Sequence, residues 1–335
     1  MTMNSILLSH GSGAGLDVLL REVIFPALDQ GDKTPPEDAA VIDAGGSRLA
    51  FTTDSFVVQP LEFPGGDIGK LAACGTINDL AMMGATPRWM SVALIIEEGF
   101  SAELLRSLLL SLRTVCDRTG VRIVCGDTKV VDRGKADGLF ITTSGVGSLP
   151  AGRSLSVANA VAGDAVLVNG PIGQHGITVL AARKGLAFAS EARSDCAPLA
   201  EISERLLQAC PCIRLMRDAT RGGVAAVLNE VAAASNVSVR VIERDVPVSD
   251  VVRGACSYLG MDPLGIANEG RLVAVLPGAD AQRALDALRG HELGAGAAII
   301  GTVTERGRFP VLMETSIGGT RPVELPAGEL LPRIC

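Results

Sequence analysis

The sequence predicts an α/β protein of two domains, each built on a mixed sheet. Three observations carry this. The 335 residues suit about two domains at ~150 residues each. Strand-like and helix-like apolar patterns alternate along the chain, without the regular strand–helix–strand order of a doubly wound sheet. A polar, turn-rich stretch from Leu149 to Asn159 (LPAGRSLSVAN) interrupts them near the middle.

Residues 1–36 form a preface: the apolar stretch Ile6 to Leu8, the glycine loop His10 to Gly15, and a helix from Leu16 to Leu28. The adjacent prolines of Asp32 to Glu37 (DKTPPE) make that segment a linker. Short strands follow at Ala39 to Ile42 and Ser47 to Thr53, joined by the turn Asp43-Ala-Gly-Gly46. Apolar residues at helical spacing (Ile68, Leu71, Ala72, Ile77, Leu80, Ala81) predict a helix over Asp67 to Met83 that stops at Gly84. Trp89 to Ile96 reads as a buried strand. Ser101 to Thr119 is an amphipathic helix capped by Ser101, with Leu104, Leu105, Leu108 and Leu112 inward. Val121 to Cys125 and Leu139 to Thr143 complete the first domain, residues 37–150.

The second domain, residues 151–319, repeats the style. Strands are expected at Ala165 to Val168, Val237 to Ile242, Leu272 to Leu276 and Ala297 to Val303. Helices are expected at Gly176 to Lys184, Leu199 to Ala209, Gly222 to Ala234, Ser249 to Leu259 and Ala281 to Arg289. Residues 320–335, punctuated by Pro322, Pro326 and Pro332, are expected as an extended, mobile tail.

Composition removes several function classes. The net charge of −7 and a total of ten aromatic residues fit neither a basic duplex-binding footprint nor a base-stacking surface, so no nucleic-acid partner is expected. No apolar run approaches the ~20 residues of a membrane helix, and no signal peptide opens the chain, which leaves the cytoplasm as the expected location. The eight cysteines form no C-x-x-C pair and no zinc framework. Most read as small buried hydrophobes; Cys335, the last residue, stands apart.

The charge is uneven: residues 1–150 carry 12 basic against 18 acidic side chains, and residues 151–335 carry 18 against 19. Four aspartates lie beside glycines or small residues at strand ends and helix turns: Asp54 in Thr53-Asp-Ser55, Asp79 in Asn78-Asp-Leu80, Asp127 in Gly126-Asp-Thr-Lys129, and Asp218 in Arg217-Asp-Ala-Thr-Arg-Gly-Gly223. Such a set fits Mg²⁺ held by carboxylates and substrate phosphates. Gly65-Gly-Asp-Ile-Gly69-Lys70 is not a Walker loop, since three residues rather than four separate its glycines and Leu71 follows Lys70. Gly11 and Gly13 stand before a helix, where free N–H groups face an anion, although the spacing is not that of a dinucleotide fingerprint.

TTDSF (52–56), IGKLAACGTINDLAMMGATP (68–87), GDTKV (126–130), GQHG (173–176), RDATRGG (217–223) and ANEGRL (267–272) resemble the aminoimidazole-ribonucleotide-synthetase-like superfamily over residues 37–325. Ser9-His-Gly-Ser-Gly13, Phe63-Pro-Gly-Gly66 and the terminal Pro332-Arg-Ile-Cys335 extend the resemblance to the whole chain and narrow it to the hydrogenase-maturation carbamoyl dehydratases, the HypE family.

The resemblance implies two α/β domains of the superfamily type, ATP in a cleft of the first domain near a homodimer interface, and dimerisation through that domain. It implies that a carbamoyltransferase, HypF, loads the thiol of Cys335. The chain then dehydrates the S-carboxamide to an S-thiocyanate with ATP and Mg²⁺, and a HypC–HypD scaffold receives the cyanide for the [NiFe]-hydrogenase iron. For this chemistry Glu269, flanked by Asn268 and Gly270, is the first candidate for the base, with Lys129 polarising the amide oxygen or phosphate or itself handling the amide proton; His175, in a glycine-rich turn, donates to a phosphate or stabilises the leaving oxygen. Asp54, Asp79, Asp127 and Asp218 are the expected metal and phosphate residues, with Asp38, Lys70, Gly11 and Gly13 as further nucleotide contacts. Gln174 stands where the family has Asp, which puts a carboxylate role there in doubt. The alternative within the superfamily is a small-molecule synthetase of the selenophosphate or aminoimidazole ribonucleotide type. The first needs a reactive cysteine in the N-terminal glycine loop, and His10 to Gly15 has none; the second has no use for a terminal cysteine.

Overall fold

The structure, a computed structural model, describes residues 5–11, 13–28, 37–186, 191–325, 331 and 333–335. A five-stranded sheet in the first domain is formed by β1 (Ala40–Ala44), β2 (Ser47–Phe56), β5 (Thr86–Glu97), β6 (Arg122–Val131) and β7 (Leu139–Leu149), with a strict in–out alternation of burial along β7. Its order is β1-β2-β7-β5-β6, antiparallel except for the parallel β5–β6 pair. The small ribbon β3 (Glu62–Phe63) with β4 (Gly66–Asp67) leads into α3 (Ile68–Met82). Asp67 caps α3 by accepting from the Lys70 amide at 2.9 Å, and Ser101 caps α4 (Ala102–Thr119) by accepting from Leu104 N.

Helix α3 is apolar on all sides because it is enclosed, with the sheet on one flank and α4 on another. A Cβ on Gly69 would come within 2.0 Å of the Leu108 carbonyl oxygen, so this glycine sets how closely α3 and α4 approach.

The second domain is a seven-stranded mixed sheet made of β8 (Asp164–Val168), β9 (Leu215–Asp218), β10 (Ser238–Ile242), β11 (Leu272–Pro277), β12 (Ala298–Thr304), β13 (Val311–Glu314) and β14 (Thr320–Pro322). It runs in the order β14-β13-β10-β12-β8-β11-β9. Helices α6 (Ala200–Ala209), α7 (Gly223–Ala234) and α9 (Ala281–Arg289) cover it, while α5 (Gln174–Lys184) and α8 (Asp250–Leu259) join the first domain's core through Ile177, Val179, Val252 and Ala255. The preface holds α1 (Gly13–Leu19), a π-helical turn (Leu20–Ile24) and α2 (Phe25–Ala27). No helix among the described residues is long and apolar enough to cross a membrane.

Four expectations are corrected. The first helix begins at Gly13 rather than Leu16, so Gly13 belongs to its first turn and not to a loop. The strand at Trp89 is not buried on both faces: Trp89, Ile95 and Phe51 stand exposed on the side of the sheet away from α3. Strand β6 continues through Gly126-Asp-Thr-Lys129 instead of ending at Cys125, because parallel pairing with β5 persists to Val131. Finally, Thr320–Pro322 pairs with β13, and the chain end is docked rather than free. The linker Asp32 to Glu37 lies, apart from Glu37, outside the described residues. β9 and β13 escape a periodicity reading because each is only four residues long.

Candidate active site

Three carboxylates meet where the domains join. Asp38 precedes β1, Asp79 sits in the last turns of α3, and Asp218 closes β9 in the second domain. One oxygen from each lies within 4.8 Å of the others. Thr52, on the inner face of β2, donates to Asp79 Oδ2 at 2.7 Å. Asp54 is two residues on and on the same face, close enough to push up both Asp79 and Asp218.

Burial, more than mutual repulsion, drives the electrostatics. It lifts Asp38 and Asp79 well above the ordinary carboxylate range, although Arg217 opposes this at Asp38 and the Thr52 hydroxyl at Asp79. Asp218 is pushed up to about 6 for the same reason, against the pull of Arg217. Arg217 stands 2.7 Å from Asp38 and 2.8 Å from Glu230, so part of the negative charge is already offset. Asp38 Oδ2 is nevertheless buried with no hydrogen-bond partner among the described residues. An all-oxygen set of three carboxylates with an orphaned buried oxygen is the donor chemistry of a hard divalent cation.

Glu269 lies beside this cluster in the turn before β11, buried, with Oε1 lacking a partner among the described residues. Burial pushes its pKa well up, helped by Cys196, Asp218 and Asp195 and opposed by Arg221. Side-chain amides hold the turn. Asn78 Nδ2 donates to the Ala197 carbonyl at 3.2 Å and to the Glu269 carbonyl at 3.4 Å, while its Oδ1 accepts from Leu199 N at 2.7 Å. Asn268 accepts from Gly173 N and donates to the Ala219 and Ile266 carbonyls.

The chain end reaches this seam. Val57 N donates to the Cys335 carbonyl and Gln59 N to the Arg333 carbonyl, the pattern of an antiparallel pair. Leu331 and Ile334 are buried, Arg183 Nη2 donates to the Arg333 carbonyl at 2.6 Å, and the Arg333 guanidinium meets Gln59 and Asp137. His175 is not in an open turn; it is fully buried in the first turn of α5, with Nε2 2.7 Å from the Ile334 carbonyl.

Other predicted residues lie elsewhere. Asp127 and Lys129 pair with each other at 2.6 Å on exposed β6 and are the register partners of Ala93 and Ile95, so they share the open face of the first sheet. Lys70, nine residues before Asp79 on α3 and hence ~13 Å along its axis, donates to the Gly65 carbonyl and lines an interdomain groove of about 860 Å³ with Gln174, Asp195 and Arg271. Gly11 is drawn to the 217–223 loop, where Arg221 Nη1 donates to its carbonyl at 3.2 Å. Ser194, Asp195 and Asn169 build the site and carry no motif signal; only their contacts reveal them.

The comparisons agree with this architecture. The N-terminal domain family of AIR synthase related proteins matches residues 36–149, and the corresponding C-terminal domain family matches 161–313. The carbamoyl dehydratase HypE of Rhodobacter capsulatus is 47% identical over 98% of both chains. The chain belongs to the HypE family. Among solved HypE structures, that of a HypE–HypF complex superposes with a TM-score of 0.87 at 44% identity, covering 92% of this chain and 99% of that one. A HypE structure in complex with ATP gives 0.83 at 42% identity over 99% and 100%.

Proposed function

We propose that this chain converts an S-carboxamide on its own Cys335 to an S-thiocyanate at the expense of ATP, supplying the cyanide ligand of a [NiFe]-hydrogenase iron. The observation that carries the reading is the docking of the chain terminus at the interdomain seam, where Asp195 joins the backbone of the tail-holding His175 to the turn bearing Glu269. A carbamoyltransferase of the HypF type loads the thiol, and a HypC–HypD scaffold takes the cyanide. This reading places the chain in the cytoplasm, where its unbridged cysteines stay reduced.

The chemistry assigns roles to the residues. A carboxamide oxygen is a poor leaving group; once phosphorylated by ATP it departs as phosphate when the amide N–H is removed, leaving C≡N. Glu269, buried and without a partner at Oε1 among the described residues, is the base for that proton. Asp38, Asp79 and Asp218, with Asp54 beside them, would hold Mg²⁺, which supplies charge neutralisation on the transferring phosphoryl group. The enclosed seam keeps water from the activated imidate. Gly11 and Gly13 supply backbone N–H groups near the 217–223 loop, and Lys70 serves from the groove. Asp127 and Lys129 act across a homodimer formed by the open sheet face, on which exposed Trp89, Phe51 and Ile95 favour burial by a second copy.

Intact-mass analysis tests the reading. After incubation with carbamoyl phosphate, the transferase and ATP, the parent chain gains the mass of cyanide in place of the thiol hydrogen. Cys335→Ala gains nothing yet still binds ATP. A chain lacking residues 326–335 that retained ATP-dependent turnover of a free substrate would overturn it in favour of a small-molecule synthetase.

A further inference from the structure

The last peptide of the chain is gripped by a histidine whose protonation its other neighbours determine. His175 Nε2 lies 2.7 Å from the Ile334 carbonyl oxygen, and Nδ1 lies 2.8 Å from the Ser194 hydroxyl. A carbonyl oxygen only accepts, so Nε2 carries the proton and Nδ1 is the bare nitrogen to which Ser194 donates. The Ser194 oxygen accepts from the Cys196 amide at 3.1 Å, which leaves its proton directed at the ring. Burial lowers the pKa of the imidazole and favours the neutral ring this arrangement needs.

The residue after Ser194 ties the grip to the reaction centre. Asp195 Oδ1 accepts from the His175 amide at 3.0 Å, and Oδ2 accepts from the Glu269 and Gly270 amides at 3.4 and 3.2 Å. Arg271 Nε approaches Asp195 Oδ2 at 3.7 Å and donates to the Pro171 carbonyl, bracing the same carboxylate. The Phe63 and imidazole rings meet edge to face, with centroids 5.3 Å apart and planes at 85°, which limits the rotation of the imidazole.

We propose that Ser194 and His175 form a positioning pair for the acceptor tail: Ser194 holds His175 as the Nε2–H tautomer, that proton fixes the carbonyl one residue before Cys335, and Asp195 keeps the grip in register with Glu269. The significance for catalysis rests on Cys335 being the acceptor; the docking does not. While the tail is docked, the Nε2 proton serves the tail rather than a phosphate.

Iodoacetamide labelling of Cys335 in the full chain, without ATP and followed by peptide mass spectrometry, reads the docking. His175→Ala and Ser194→Ala should label roughly five- to tenfold faster, the loss of one buried hydrogen bond. His175→Gln, whose amide N–H still donates, should stay near the parent rate. Nitrogen-15 NMR of the labelled imidazoles should show Nδ1 of His175 unprotonated in the parent and a tautomer mixture in Ser194→Ala. Unchanged labelling in both alanine variants overturns the proposal, as does an Nδ1–H tautomer in the parent. So does faster labelling shared by the buried Cys116 and Cys256, which would report unfolding. If labelling follows expectation while carbamoylated parent yields no thiocyanate, the positioning pair stands and the acceptor reading fails.

Discussion

As the proposed base, Glu269 would act only once it has lost its proton, and burial makes that loss harder than for an ordinary glutamate. The single-turnover dehydration rate is therefore expected to rise with pH along a limb lying above the usual carboxylate range. Glu269→Gln should abolish thiocyanate formation while ATP still binds. The carboxylate cluster adds a second pH dependence. Asp218 titrates at about 6 in the folded chain against an ordinary 3.8, so the folded state binds protons more tightly than the unfolded one. Its contribution to stability is complete below the ordinary value and is lost as pH rises through about 6; Asp38 and Asp79 act in the same direction. If the cluster holds Mg²⁺ as proposed, the ion competes with those protons, and scanning calorimetry should find a larger rise in Tm on adding Mg²⁺ above pH ~7 than below pH ~5. At this scale, whereas Asp38 came from the family resemblance, Asp54, Asp79, Asp127 and Asp218 were legible from their settings beside glycines or small residues and Glu269 from its place between Asn268 and Gly270. Ser194 and Asp195 were not, because an Asp in a loop has the same local sequence whether it caps a turn or joins two others.

Among the elements, α3 and the first sheet show what periodicity reads and what it leaves open. The bounds of α3 follow from Asp67 at one end and Gly84 at the other, but its evenly apolar surface does not say which side meets the sheet. The β5 pattern TPRWMSVALIIE likewise contains no clean alternation, and the sequence reading buried it entirely. Only one face meets α3; the other carries Trp89 and Ile95, with Phe51 of β2 on the same side of the sheet, into solvent in the single chain. If that face is the homodimer interface, a buried charge there carries a large desolvation cost. Trp89→Glu is expected to turn the dimer into monomer in sedimentation velocity while leaving far-UV circular dichroism unchanged. It should also reduce turnover, because Asp127 and Lys129 share the face.

At the scale of the molecule, the two domains are joined by buried polar contacts as well as apolar packing. Asn78 places three hydrogen bonds across the seam, to Ala197, Glu269 and Leu199. Removing its side chain leaves those backbone groups buried without it. Asn78→Ala should therefore lower unfolding free energy by about 2–3 kcal/mol in urea titrations, with a larger loss of turnover than Asn78→Asp, which keeps the acceptor for Leu199 N. The tail belongs to the same interface, since Val57 and Gln59 of the first domain and His175 and Arg183 of the second hold Arg333 to Cys335 between them.

Local chemistry was enough to determine the two α/β domains, the limits of the capped helices, the presence of aspartates at strand ends and helix turns and a cysteine at the chain end, because each depends on neighbours within a few residues. Tertiary structure alone decided that Asp38, Asp79 and Asp218 converge while Asp127 and Lys129 lie on the open sheet, and that Arg333 to Cys335 dock. Those outcomes depend on groups brought together from distant parts of the chain, such as Asp38 and Asp79, 41 positions apart, or His175 and Ile334, 159 apart. Sequence spacing carries no information about such pairs until the fold has closed them.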